Sequence, residues 1–143
     1  MKKQLGIGLL IAAVASAGLI GSAVAQDQEQ ELTNDEASLE QLIMEGEGVF
    51  SANCASCHGA EGQGGAGPAL ADNDFVESRS AVINQILFGA VEHGMPPFAP
   101  VLDDREIAAV ATYIRNSWEN EYSIVLPRSV ELRRAHGPEE EEE

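Results

Sequence analysis

Cys54-Ala55-Ser56-Cys57-His58 is the stretch that decides how this chain folds, and Gly59 follows it directly. Two thiols three positions apart face the same way on one helical turn, and the next residue offers an imidazole. This pattern indicates covalent attachment of a haem through both sulfurs, with His58 placed to bind the iron. The chain has no second motif of this kind, so one haem per chain is expected.

A pair of cysteines at this spacing also occurs in half of a zinc site, in a thioredoxin-like redox pair and in a structural disulfide. A zinc site needs four ligands, and this chain has only 2 cysteines. A redox pair needs a strand–helix–strand setting, for which the sequence shows no pattern. The histidine directly after Cys57 therefore favours haem.

The first 25 residues have the pattern of a secretory signal peptide. Lys2 and Lys3 precede an apolar run from Leu5 to Ile20, and Ala23-Val24-Ala25 supplies the small residues of a cleavage site. We expect cleavage before Gln26 and a periplasmic protein. The alternative is an uncleaved membrane anchor, because the apolar run approaches the roughly 20 residues that span a bilayer.

The chain is strongly acidic, with 24 Asp and Glu against 8 Lys and Arg. Loss of residues 1–25 would remove both lysines and leave 6 arginines, for a formal net charge of −18. Such a surface repels nucleic acid and anionic lipid, and it favours redox protein partners with basic docking surfaces. The alternative explanation for the acidity is solubility in a saline compartment.

Apolar residues at three- and four-residue spacing predict three main helices. The first carries Leu39, Leu42, Ile43, Gly46, Val49 and Phe50, the second Val82, Ile83, Ile86, Leu87 and Ala90, and the third Ile107, Val110, Ala111, Ile114 and Trp118. Thr33 with Glu36, and Asp103 with Glu106, have the spacing of capping boxes that would start the first and third helices. We therefore place one domain at residues 37–126.

The segments on either side of this domain are polar. Residues 26–36 read as an acidic flexible leader. Residues 127–143 read as a charged, disordered tail, because Pro127 would stop any continuation and the chain ends in a run of glutamates.

Two irregular segments flank the second helix. Residues 59–70 contain five glycines, which predict a loop that packs closely on a flat group, and Pro68 leaves its carbonyl free as an acceptor. Residues 95–100 contain three prolines, which would hold Met95 in a fixed place. A methionine is usually a packing residue, but beside a haem histidine its thioether suits the remaining axial position. His93 is the rival ligand, without prolines directly after it.

These pieces together resemble the class I cytochromes c of the bacterial, single-haem kind, over roughly residues 37–122. The matching features are Gly46 and Phe50 before the first cysteine, CASCHG at residues 54–59, GPAL at 67–70, GMPPF at 94–98 and VATYIRNSW at 110–118. The last two also resemble cytochrome modules of periplasmic dehydrogenases and haem-copper oxidases.

The resemblance implies an all-α cytochrome c fold, with three main helices and a Gly/Pro-rich loop wrapped around one covalently bound haem c. It implies axial ligation by His58 and Met95, with the carbonyl of Pro68 accepting a hydrogen bond from His58. The implied function is a one-electron carrier, not an enzyme, between a dehydrogenase or quinol-oxidising complex and a terminal acceptor. The alternative is a haem enzyme, peroxidase-like or nitrite-handling, whose sixth ligand can be displaced.

Overall fold

The computed structural model of the protein describes residues 31–137, and within them there are five α-helices, two 3-10 turns and no β-strand. The helices are α1 (Glu36–Asn53), α2 (Ala55–His58), α3 (Arg79–Phe88), α4 (Asp104–Arg115) and α5 (Pro127–His136), and the 3-10 turns are Asp74–Glu77 and Val91–His93. The all-α fold class is confirmed. The three main helices of the prediction are α1, α3 and α4.

Some predictions fall on residues that the structure does not describe. These are the signal peptide at residues 1–25, the first part of the leader at residues 26–30 and the end of the tail at residues 138–143. Among the helices of residues 31–137, none combines the length and the apolar character needed to cross a bilayer.

The first helix begins two residues later than the Thr33 capping box would place it, because Asp35 is the N-cap. The Asp35 carboxylate accepts a hydrogen bond from the Ser38 amide at 2.8 Å, and the Thr33 hydroxyl donates to the same carboxylate. A charged acceptor at the N-cap also interacts favourably with the helix dipole. The box predicted for α4 is confirmed, since Asp103 and Glu106 each accept from the other's backbone amide.

The α1–α4 crossing is the main packing contact that supports the site. A Cβ on Gly46 would lie 2.6 Å from the carbonyl carbon of Ala109 and 2.7 Å from Cβ of Tyr113, so only glycine allows the two backbones to approach this closely. The ring of Phe50 lies 5.4 Å from that of Tyr113 and 5.1 Å from that of Trp118. Gly46, Phe50 and residues 110–118 are motifs that the sequence analysis quoted, whereas Ala109 is a neighbour of Gly46 that the sequence did not indicate.

The core lies where α3 and α4 meet the end of α1. Its fully or nearly fully buried apolar side chains are those of Phe50, Val76, Val82, Ile83, Ile86, Leu87, Leu102, Ile107, Ala108, Val110, Ala111, Ile114, Val125 and Val130. Four of the five residues predicted for the face of α3 are among them. The fifth, Ala90, lies beyond the end of that helix.

A buried arginine ties the end of α4 to two loops. Arg115 is 2% exposed and donates hydrogen bonds to the carbonyls of Val76, Glu77 and Ser123. Burial lowers the pKa of its guanidinium from the ordinary value. The sequence analysis did not single out this residue, although a cation can be buried when carbonyl oxygens accept its protons.

The prediction of a disordered tail from residue 127 was wrong for residues 127–136, which form α5. Pro127 starts this helix rather than stopping the chain, because the first helical position needs no amide hydrogen bond. Val130 is completely buried against the core, and Arg133 donates to the Ser80 hydroxyl of α3 at 2.8 Å. Because the segment is mostly charged, the sequence analysis overlooked its buried apolar residue, Val130, and the arginine that donates a hydrogen bond to α3.

Candidate functional site

The two cysteines lie at a bend between α1 and α2. Cys54 closes α1 with its amide donating to the Phe50 carbonyl at 2.8 Å, and its own carbonyl accepts from the amides of Cys57 and His58 at 3.1 and 3.0 Å. Both thiols are free, with Cys54 partly buried and Cys57 exposed. Burial, and secondarily the neighbouring Cys57, raise the pKa of the Cys54 thiol to about 11, so this group is a neutral thiol at neutral pH.

The imidazole of His58 is held by one hydrogen bond. Its Nδ1 lies 2.8 Å from the carbonyl oxygen of Pro68, ten residues further along the chain. A carbonyl can only accept, so Nδ1 carries the proton, and in the neutral ring the lone pair is on Nε2. The contact predicted between His58 and Pro68 is present, and it leaves the Nε2 lone pair available to a metal ion.

The Gly-rich loop folds back on α2. The amide of Gly64 donates to the His58 carbonyl at 2.7 Å, and the amide of Gly67 donates to the Cys57 carbonyl at 2.9 Å. A Cβ on Gly67 would lie 2.9 Å from Cε1 of the His58 ring, and one on Gly62 would lie 2.5 Å from Cε3 of the Trp118 ring. The glycines therefore allow the loop to pack against two aromatic rings.

Met95 lies on a short turn after α3. Its backbone pairs with that of Ala90, with N–H···O distances of 3.0 and 3.1 Å, and the 3-10 turn Val91–His93 closes the loop between them. The side-chain amide of Gln85 lies 3.5 Å from the Met95 sulfur and donates to it. Met95 is partly buried, whereas His93 is exposed on the turn.

The proline-rich segment after Met95 is fixed to the end of α3. The amide of Phe98 donates to the Ile86 carbonyl at 3.0 Å, and the amide of Ala99 donates to the Leu87 carbonyl at 3.1 Å. A Cβ on Gly89 would lie 2.6 Å from the Met95 carbonyl oxygen, so this segment also passes directly over the helix end. Met95 is thus presented by a short, stiff segment with anchors on both sides.

The sequence-predicted site residues form two halves on one core. His58 and Pro68 are in direct contact, Cys54 packs on the core beside them, and Met95 is held by Gln85. Apolar side chains of both halves pack, partly buried, on the same core cluster, namely those of Val49, Cys54, Leu70, Phe88 and Phe98. Two free thiols on one turn, an oriented imidazole, a held thioether and an apolar surround are the donor set and setting that a covalently attached haem requires.

Gln85 is the residue of this site that sequence reasoning missed. Its face of α3 also carries Ala81 and Phe88, which are partly buried, so a polar residue between apolar neighbours was the available signal. That signal does not name a partner. Only the turn that returns Met95 to the helix places sulfur and amide together.

Comparison with known proteins gives one family. The family model described as "Cytochrome C oxidase, cbb3-type, subunit III" matches residues 41–114. A "Cbb3-type cytochrome c oxidase subunit FixPc" of Rhizobium leguminosarum bv. viciae is 34% identical over 113 residues, covering 71% of this chain and 39% of that protein. "Cytochrome c6" of Gracilaria tenuistipitata var. liui is 39% identical over 82 residues, covering 52% of this chain and 72% of that protein.

A second "Cytochrome c6", that of Tetradesmus obliquus, is 38% identical over 81 residues and is covered over 83% of its length, against 48% of this chain. The chain spans less than half the length of the FixP-type relatives, at 39% and 43% of two of them. Similarity extends over most of the length of the c6-type relatives instead.

Proposed function

The chain belongs to the cytochrome c family, whose cofactor is covalently bound haem c, and we propose that it passes one electron at a time between redox proteins. Cys54 and Cys57 would form the two thioether bonds. His58 and Met95 would fill the two axial positions of the iron. Haem held in this way supplies a ferric/ferrous couple, and the chain's own residues fix its ligands and shield it.

The observation that carries this proposal is the 2.8 Å contact between Nδ1 of His58 and the Pro68 carbonyl. This hydrogen bond selects the tautomer whose Nε2 can bind iron, and it fixes the orientation of the ring. A histidine that merely packed on the surface would not require a glycine, Gly67, in contact with its ring.

A carrier is favoured over a haem enzyme because of how Met95 is held. Its backbone is paired with Ala90, its sulfur accepts from Gln85, and its following segment is bound to α3. A sixth ligand held by three anchors resists displacement by substrate, whereas peroxidase-like or nitrite-handling chemistry needs an open position. A thioether ligand also raises the reduction potential relative to a second histidine.

The location and partners belong to the same proposal. With residues 1–25 cleaved as a signal peptide, the protein would work in the periplasm. It would reach the membrane only through a membrane complex, or if residues 1–25 stayed uncleaved as an anchor. Relatives whose printed names identify them as subunits of a cbb3-type oxidase support a terminal oxidase as one electron acceptor. A dehydrogenase or quinol-oxidising complex would be the donor, with basic docking surfaces on these partners.

The test is the full chain produced in a host that attaches haem c, as wild type, Met95→Ala and His93→Ala. We expect haem that stays with the denatured protein, a low-spin spectrum, and the weak red absorbance band of a thioether-ligated ferric haem. Met95→Ala should lose that band and bind added imidazole readily, while His93→Ala should keep it.

Three outcomes would contradict the assignment. If denaturant extracts the haem from the protein, then Cys54 and Cys57 do not attach it covalently. Loss of the low-spin spectrum in His93→Ala but not in Met95→Ala would identify His93, rather than Met95, as the sixth ligand. A high-spin resting spectrum with fast ligand binding in the wild type would establish the haem-enzyme alternative.

A further inference from the structure

One side chain of α5 binds the segment that follows Met95. The guanidinium of Arg134 donates from Nη1 to the Ala99 carbonyl at 2.5 Å and from Nη2 to the Leu102 carbonyl at 2.9 Å. Its Nε forms an ion pair with the Asp104 carboxylate at 2.7 Å, in the first turn of α4. The fork of one arginine therefore spans both ends of the turn at residues 99–102.

The ion pair between Arg134 and Asp104 is partly shielded from solvent, and the helix that carries Arg134 is held on the core. The Arg134 and Asp104 side chains are 30% and 31% exposed, so the pair is shielded more than a fully exposed surface ion pair. The helix that carries Arg134 is itself docked by the buried Val130 and by the hydrogen bond from Arg133 to Ser80. Arg134 is thus a fixed donor, and the loop is the part that it restrains.

The restraint is transmitted to Met95 along a stiff path. Pro96 and Pro97 fix the backbone directly after Met95, and Ala99 is held on two sides, through its amide by α3 and through its carbonyl by Arg134. The turn itself closes when the amide of Leu102 donates to the Phe98 carbonyl at 2.9 Å. Movement of residues 99–102 would therefore move residues 95–98 with them.

We propose that Arg134 on α5 is a positioning residue for the sixth haem ligand, which keeps the Met95 segment closed by clamping the carbonyls of Ala99 and Leu102. The inference rests on the proposed function, in which Met95 binds the iron. It gives the C-terminal helix, outside the span of residues 41–114 that the family model matches, a role in the redox site.

The experiment compares the full, haem-loaded wild type with Arg134→Ala, Arg134→Lys and Arg128→Ala. Arg128 is the matched control, because it lies on the same helix and its ion pair is with Glu131, within α5. The measurement is the concentration of imidazole that removes half of the thioether band from the ferric protein, at a temperature at which circular dichroism shows every variant folded.

In Arg134→Ala, we expect imidazole to displace Met95 at a concentration lower by about tenfold, the scale of one ordinary hydrogen bond. The change is smaller than the full loss of two charge-assisted hydrogen bonds, because Arg134 acts on Met95 only through the segment between them. The imidazole midpoint of Arg134→Lys should lie between those of the wild type and Arg134→Ala, since an ammonium cannot span both carbonyls as the guanidinium fork does. Arg128→Ala should match the wild type. A purely structural role for α5 would lower the melting temperature without changing the imidazole midpoint.

If Arg134→Ala fails to load haem, Arg134→Lys and Asp104→Asn decide the matter by the same titration. An imidazole midpoint equal to that of the wild type in the Arg134 variants that load, alongside an intact thioether band, would overturn the inference alone. Absence of the thioether band in the wild type, with Met95→Ala unchanged from it, would instead overturn the proposed function.

Discussion

One side-chain amide contacts the Met95 sulfur directly, since the Gln85 side chain donates to it at 3.5 Å. A hydrogen bond to the thioether would withdraw electron density from the sulfur, which disfavours ferric relative to ferrous iron and raises the reduction potential further. Hydrogen bonds of this kind around a haem are among the means by which a protein sets its reduction potential. With Met95 bound to the iron as proposed, Gln85 would tune the reduction potential of the haem.

Gln85→Leu should lower the reduction potential of the haem-loaded protein. The expected fall is about 20 to 60 mV, the one-electron equivalent of an ordinary hydrogen bond. Potentiometric titration measures it. Gln41→Leu is the control, because Gln41 donates to Glu45 on α1, outside the Met95 segment. An unchanged or raised potential in Gln85→Leu would show that the amide does not act on a bound thioether.

The α1–α4 crossing is the element-scale feature on which the position of the haem motif depends. Cys54 follows directly after α1, and Phe50 one turn earlier packs on Tyr113 and Trp118. The close approach at Gly46 sets the depth of this packing. The exposed pair between Arg105 and Glu45, at 2.8 Å, adds a contact at the rim of the same interface and lowers the pKa of the Glu45 carboxyl.

Gly46→Ala should lower the free energy of unfolding by about 1 to 3 kcal/mol, because the added methyl group meets the Ala109 backbone, which cannot rotate away. Gly48→Ala is the matched control on the same helix, where a Cβ meets nothing within 4 Å. This control should be neutral or stabilising by up to about 1 kcal/mol. Denaturant unfolding of both variants gives the comparison, and equal midpoints would rule out a close crossing at Gly46.

The helix that the sequence analysis did not predict is α5. Its sequence, PRSVELRRAH, has only Val130 and Leu132 as strongly apolar residues among several charged ones. The spacing of apolar residues therefore did not predict an amphipathic helix. Docking depends on Val130, which is buried, while Leu132 is 46% exposed. Tertiary contacts, rather than local propensity, make this segment helical.

The charge of the whole molecule would influence how it meets the proposed redox partners. The formal net charge is −16, and exposed acidic residues flank both halves of the site, with Glu61 after His58 and Glu92 before Met95. A negative field of this kind raises the rate of encounter with a basic surface, and salt screens it. It contributes to encounter and not to the chemistry of the haem.

Electron transfer to a small basic redox protein should therefore slow by at least about tenfold between low and high salt. Stopped-flow absorbance of the haem measures the second-order rate constant at each ionic strength. Reduction by an uncharged quinol is the control and should be nearly independent of salt. A salt-independent rate with the basic protein would mean that the acidity serves solubility rather than docking.

The sequence by itself determined the features that depend on short spacing. The C-x-x-C-H motif, the α4 capping box and the apolar faces of three helices are local patterns, and the structure has the helices that they predict. The contact between His58 and Pro68 also followed from the sequence, through the resemblance to a family. Each of these is set by residues within about ten positions of one another or by a matched motif.

Only the tertiary structure decided which distant groups satisfy each other. Gly46 meets Ala109, and Arg134 reaches the carbonyls of Ala99 and Leu102, more than 30 positions away. A sequence shows that an arginine has donors and that a proline-rich turn leaves carbonyls without amide partners. It does not show which donor reaches which carbonyl, because that depends on how the helices pack around the core.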